Sequence, residues 1–193
     1  MRIEKVEYQV YKFEELSDKA KEKARQWYRE GTEFEPDFED VKTIGKMLGI
    51  NISRILYSGF CSQGDGACFE GSYSFTYDAI KNVREYAPLD ERLFSIACQL
   101  DAIQSRHDNK LTATVEQSGR YYNPGNTTIY IENGGEEFID QNDVSALEET
   151  LKDFMHWIYR QLESEYEYQM SDESIDESIL ANDYDFLESG KVF

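Results

Sequence analysis

Apolar and charged residues alternate over the first thirteen positions, where Ile3, Val6, Tyr8, Val10, Tyr11 and Phe13 stand among Arg, Glu, Lys and Gln. The pattern predicts a strand, with its period slipping at Val10-Tyr11. The period then lengthens. Leu16, Ala20, Ala24, Trp27 and Tyr28 fall on one face of a helix that Ser17 would cap and Gly31 would close. Phe38, Val41, Ile44, Met47 and Leu48 mark a second helix, with Pro36 at its first turn. Strand spacing returns over Ile50–Tyr57 and Gly71–Tyr77, joined by a stretch with four Gly in thirteen residues, 59–71. A short helix over 77–86 follows, with Asp78 near its cap. A longer one over about 89–106 is carried by Leu93, Ile96, Ala97, Leu100 and Ile103.

A second hairpin is predicted from Lys110–Gln117 and Thr127–Glu132. Its loop, Ser118–Asn126, is rich in turn formers, and Asn133-Gly134-Gly135 closes its return strand. Val144, Leu147, Leu151, Phe154, Met155, Ile158, Leu162, Tyr166 and Met170 mark one long helix over about 142–169. Ile175, Ile179 and Phe186 continue helical spacing beyond Ser171. The fold class is therefore α+β. We expect a mainly antiparallel sheet of about five strands, the N-terminal one included, with helices packed on it. The expected domains are an α+β body over 1–170 and an acidic helical C-terminal segment over 171–193. No repeat at a fixed period is present.

Fourteen Tyr and eleven Phe among 193 residues supply a core, which argues against global disorder. The net charge of −19 changes the picture more. It repels nucleic-acid phosphates and anionic membranes, so neither is an expected partner. It favours a basic protein partner, or solubility alone. No apolar run of about 18 residues is present and the N-terminus has no apolar signal core. With three Cys in no framework spacing, a cytoplasmic location is expected.

The charge is concentrated at one end. Fifteen acids face only Lys152 and Arg160 between Asp140 and Glu188. Such a run has a bland reading as a solvated surface. It has a sharper one because carboxylates on helices stand at fixed spacing and can imitate a phosphate array. The residues assigned to partner binding are Glu163, Glu165, Glu167, Asp172, Glu173, Asp176, Glu177, Asp183 and Asp185.

Other chemistry is thin. Gly64-Asp65-Gly66 matches neither a P-loop nor an EF-hand and reads as a hairpin turn. Cys61, Cys68, Cys98, His107 and His156 lack paired zinc spacing. Both histidines fall in helical segments, and His156 precedes Trp157 in a packed stripe. No catalytic residue, metal or cofactor is assigned. If the hairpin acts beyond shape, Phe60, Gln63, Asp65 and Phe69 are the candidate contacts.

Two stretches carry a resemblance. Val10–Ala24 (VYKFEELSDKAKEKA) and Ser58–Gly71 (SGFCSQGDGACFEG) resemble a group of uncharacterised phage and prophage proteins, some loosely labelled as antitoxins of a toxin–antitoxin stability system. The group has Trp where Cys61 stands and a small residue where Cys68 stands, so no shared thiol chemistry is implied. The resemblance implies phage origin and action in the host cytoplasm. It implies no catalytic residue.

The leading expectation is thus a phage-derived acidic protein that inhibits a basic, nucleic-acid-binding host protein, in the manner of an anti-CRISPR or another anti-defence DNA mimic. An antitoxin neutralising its toxin and a small enzyme using the Gly-rich hairpin are the alternatives, with a virion assembly protein a third class. Homodimerisation is left open.

Overall fold

A computed structural model describes residues 1–4, 6–134 and 139–193. Lys5 and Gly135, which fall in the expected N-terminal strand and closing turn, lie outside the described residues. The protein is α+β, and its described residues form six α-helices, a four-stranded antiparallel sheet and a two-stranded sheet. It divides into two compact units. One comprises residues 1–36 and 164–193, the other residues 37–163.

In the larger unit, α2 (Glu39–Met47) leads into β2 (Ile50–Tyr57), which pairs with β3 (Ala67–Ser74). Helices α3 (Ala79–Tyr86) and α4 (Glu91–Ser105) connect β3 to β4 (Leu111–Gln117), and β4 turns into β5 (Thr127–Asn133). The strand order is β2-β3-β4-β5. Along β4 the alternation is strict. Leu111, Ala113 and Val115 are buried, whereas Thr112, Thr114 and Glu116 are exposed. One face of the sheet therefore belongs to the core and the other to solvent. The core face meets Leu93, Ile96 and Leu100 of α4 and Leu147, Leu151, Phe154, Met155 and Ile158 of α5 (Gln141–Gln169). Of α5, residues 141–163 belong to this unit.

Two polar devices fix α4 at its ends. Asp90 caps it by accepting from the Leu93 amide (2.8 Å), and its other oxygen accepts from the Trp157 indole N–H (2.7 Å). At the far end the wholly buried Gln104 donates to the Leu111 carbonyl (2.7 Å) and the Tyr73 hydroxyl (3.2 Å). Its own carbonyl accepts from the Leu111 amide (3.1 Å). Both polar atoms of the Gln104 side chain are satisfied, which is what makes its burial tolerable.

In the smaller unit, β1 (Tyr11–Lys12) pairs antiparallel with β6 (Asp185–Phe186), and α1 (Asp18–Gly31) packs with α6 (Asp172–Ala181). Phe13, Leu16, Ala20, Ala24, Ile175, Ile179 and Phe186 form a separate core. Gly190 has no side chain for a reason. The backbone of Gly190, at φ +82°, lies so close that a Cβ there would stand 2.0 Å from the Ala20 carbonyl oxygen.

The sheet differs from expectation in membership. The N-terminal stretch does not join the main sheet. Among its described residues only Tyr11 and Lys12 pair, and they pair with the C-terminal segment. Ile3, Val6, Tyr8 and Val10 remain exposed. Alternation shows a strand's period but cannot say which strand it meets. Three smaller differences follow. Gly31 is the last helical residue of α1 rather than its left-handed cap, and Thr32 closes the helix by donating its hydroxyl to the Tyr28 carbonyl (2.8 Å). Pro36 precedes α2 by three residues instead of opening it. The helical spacing past Ser171 ends at Ala181, and Phe186 belongs to β6.

Candidate functional site

The nine carboxylates assigned to partner binding are sorted by helix geometry. In α6, residues three and four apart share a face. Ile175 and Ile179 face the core and are buried. Asp172 and Asp176 share a second face, turned to α1. The Arg25 guanidinium grips Asp176 through Nε to Oδ1 and Nη2 to Oδ2, both 2.7 Å, and reaches Asp172 at 3.4 Å. Arg29 pairs with Asp172 and donates Nε to the Met170 carbonyl (3.2 Å). The Arg25 pKa is raised, chiefly by its hydrogen bond to Asp176. Glu173 and Glu177 form the third face. They are exposed, and among the described residues no cation pairs with either.

The remaining acids of this unit divide in the same way. Lys12 holds Asp183 and Asp185 at 2.9 Å each, and those two contacts raise its pKa, Asp185 first. Glu165 accepts from Gln169 (3.0 Å). Glu167 is exposed on the last turns of α5, without a cation among the described residues. Glu163 belongs to the larger unit, where its charge helps raise the Tyr159 pKa after the larger effect of burial.

Asp172, Asp176, Asp183 and Asp185 are therefore paired with cations, and Glu167, Glu173 and Glu177 are exposed with none among the described residues. Sequence reasoning missed the cations that do the pairing. Arg25 and Arg29, four apart on α1 beside Ala20 and Ala24, were the visible signal. What was missing was which of 39 acids they would meet.

The Gly-rich hairpin is a built loop in the larger unit. Asp65 turns its carboxylate back to accept from the amides of Cys61 (2.9 Å) and Ser62 (2.7 Å). Ser58 and Gly66 close the base, with the Ser58 amide donating to the Gly66 carbonyl (3.0 Å). The loop docks on 118–126, where Asn123 Nδ2 donates to the Gly64 carbonyl (3.2 Å). A Cβ on Gly66 would lie 2.7 Å from Asn123 Cβ. Phe60 stacks between Tyr57 (ring centroids 6.2 Å apart) and Tyr159 (5.6 Å). The Tyr159 hydroxyl donates to the Gly59 carbonyl (3.3 Å).

Of the candidate hairpin contacts, Gln63 is exposed at the tip and Phe60 is half-buried in the stack. Asp65 is occupied by the loop's own amides. Phe69 is not a surface residue: it is fully buried with its ring edge against Phe154 (6.0 Å), because the register of β3 turns it to the core face.

The cysteines are free thiols. Cys61 is exposed, and burial pushes the Cys68 thiol up to about 11, with Glu70 adding to it. His107 lies in the turn after α4, outside the helix, with Nε2 2.8 Å from Asp143. His156 is on α5, where burial lowers its pKa, with Arg92 the next cause. Among the described residues no group of three or more His, Cys, Asp or Glu is placed to hold a metal ion, and no helix is long and apolar enough to cross a membrane.

No curated protein and no solved structure matches the chain. One family model does, over residues 34–172, which takes in the whole larger unit and the Ser58–Gly71 stretch. It stops before Glu173, so most of α6 lies outside it. With more than two thirds of its residues matched, the chain belongs to the family described as "Domain of unknown function (DUF8835)".

Proposed function

We propose that the protein acts by binding, and that the outward carboxylates of its smaller unit dock on a basic surface of a protein partner. One observation carries the reading. In α6 the acids at 172 and 176 are consumed by Arg25 and Arg29, yet those at 173 and 177 have no cation among the described residues. Glu167 adds a third. Exposed charges of one sign cost self-repulsion, which the place of Glu173 in the first turn of α6 offsets only in part, while they steer an oppositely charged partner.

The partner class follows from charge. Proteins that grip nucleic acid carry basic grooves. Together with the resemblance to phage and prophage proteins, this favours a host-cytoplasm nuclease or other defence effector as the protein inhibited. A basic toxin fits the same surface. Carboxylates four apart on α6 stand about 6 Å apart along its axis, sparser than the roughly one charge per 1.7 Å of a duplex. Charge complementarity is thus better supported than literal DNA mimicry by α6 alone.

The test begins with capture of the partner from host lysate by the full chain and its identification by mass. A Glu167→Lys, Glu173→Lys, Glu177→Lys variant should then lose affinity, and native binding should weaken steeply with added salt. Unchanged affinity in that variant, with the fold intact by circular dichroism, overturns the reading.

A further inference from the structure

The two edges of the main sheet are unequal. β2 carries the devices that keep an edge from pairing. Its register shifts between Ile52 and Arg54, as a bulge does, and Arg54 is exposed on it. The α2 backbone sits against its start, with a Cβ built on Gly45 only 3.0 Å from the Ile50 carbonyl oxygen.

β5 has no such register shift. It pairs with β4 over seven consecutive positions without a break, and on its other side it pairs with no described strand. Thr127-Thr128-Ile129-Tyr130-Ile131 is an unbroken run of β-branched and aromatic residues, the best formers of a pleated edge. Glu132 is its single charge. Ile129 and Ile131 are only half-buried, while Val115 and Ala113, directly opposite them on β4, are buried. The core face is therefore unfinished at this edge. Tyr130, on the open face, is 54% exposed.

We infer that β5 is the interface of a homodimer, pairing antiparallel with β5 of a second copy to make one continuous eight-stranded sheet. The sequence of the strand names the occupant because it is self-complementary about Tyr130. A two-fold axis through an antiparallel pair places each residue opposite one equally far on the other side of the axis. With Tyr130 opposite Tyr130 of the second copy, Ile129 meets Ile131 on the core face, and Thr128 meets Glu132 on the open face. Both apolar residues left half-buried are covered by each other's counterparts. No glutamate faces a glutamate. The register puts aromatic against aromatic and β-branched against β-branched, the cross-strand pairs that stabilise sheets.

The inference is independent of the basic-partner reading, and salt separates the two. Two copies of a chain with net charge −19 repel one another. Screening, over about 10 Å at 0.1 M salt and about 3 Å at 1 M, should strengthen the dimer while it weakens a basic partner's grip.

The experiment is sedimentation velocity of the full chain at about 100 µM, enough to populate a dimer of micromolar Kd, at low and high salt. A dimer that tightens with salt is expected. Tyr130→Lys sets two ammonium groups face to face at the axis and should weaken it about tenfold. Thr128→Glu places like charges opposite each other twice and should weaken it similarly, whereas Thr128→Lys faces Glu132 and should hold it. Tyr130 and Thr128 point away from the core, and circular dichroism checks that each variant folds. A monomeric native chain overturns the inference. So does a dimer indifferent to Tyr130→Lys, or one that responds alike to Thr128→Glu and Thr128→Lys.

Discussion

Arg25 holds Asp176 through two parallel hydrogen bonds of 2.7 Å, with the arginine side chain 19% and the aspartate 28% exposed. This fork joins the first helix of the chain to its last. A bidentate, partly sheltered pair is worth more than an exposed one. Asp176→Asn should therefore cost about 1–2 kcal/mol in the smaller unit, and Glu177→Gln, one residue on, should stay within about 0.5 kcal/mol. The chain has two tryptophans, Trp27 in the smaller unit and Trp157 in the larger. Trp27 packs edge-on against Tyr184 with centroids 5.2 Å apart, so its fluorescence in a Trp157→Phe background reports this unit during urea unfolding. Equal effects of the two substitutions would mean that the fork contributes no stability.

The same fork changes how partner binding must be tested. Charge reversal at Asp172 and Asp176 removes the counterions of Arg29 and Arg25 and leaves two guanidiniums facing lysines. We expect Asp172→Lys, Asp176→Lys to lower the urea midpoint read by Trp27, and Glu173→Lys, Glu177→Lys to lower it far less, by no more than a lysine in the first turn of α6 costs. A loss of partner binding in the first variant would then follow from unfolding, and only a loss in the second would report docking.

Much of the fold was legible because burial imposes periodicity. Leu111, Ala113 and Val115 alternate as a half-buried strand must, and Leu147, Leu151, Phe154 and Ile158 recur as a buried helix face must. Pairings were not legible in the same way. Tyr11 meeting Phe186 and Arg25 meeting Asp176 join residues more than 150 positions apart, and nothing local selects one acid among many. Phe69 looked like a hairpin contact because its neighbours are polar and glycine-rich. Whether it faces solvent is set by strand register, which turns on a single residue.

The hairpin should be stiff rather than adaptable. Asp65 satisfies two loop amides at once, so Asp65→Ala should raise hydrogen exchange at Cys61 and Ser62 by about fivefold, as loss of roughly 1 kcal/mol per bond implies. Gly66→Ala drives a methyl to within 2.7 Å of Asn123 Cβ and must displace the 118–126 loop, costing about 1–3 kcal/mol. Wild-type exchange rates in Asp65→Ala would show that the loop is held by the Phe60–Tyr159 stack instead.

Tyr73 gives the larger unit an alkaline limit. Burial pushes its phenol up to about 12, against a smaller lowering by the Gln104 hydrogen bond. A group whose folded pKa is raised contributes stability that is complete below its unfolded pKa of about 10 and is lost as pH rises through the folded value. Between about pH 10 and 12 the native protein should lose stability faster than Tyr73→Phe, which has no proton to release there. Urea midpoints at pH 9 and pH 11 measure this, and parallel loss in both proteins would count against it.

Asp143 sets the acid limit by the opposite sign. It stands in the first turn of α5, accepts from Arg106 Nε (2.9 Å) and lies 2.8 Å from His107 Nε2, with its side chain 15% exposed. The Arg106 hydrogen bond first and the His107 contact second hold its carboxyl below the usual carboxylate range. The helix N-terminus favours the same charged form. A depressed carboxyl contributes stability that is complete above its unfolded pKa of about 3.9 and is lost as pH falls through the lower, folded value. The native protein should thus exceed Asp143→Asn in stability by a constant margin from about pH 5 to 7. The margin should shrink below about pH 4 as the native carboxylate takes up its proton and comes to resemble the amide. Urea midpoints of both proteins between pH 2.5 and 7 give the margin directly. A margin that persists undiminished at the acid end would mean that the shape of the side chain, and not its charge, secures the start of α5.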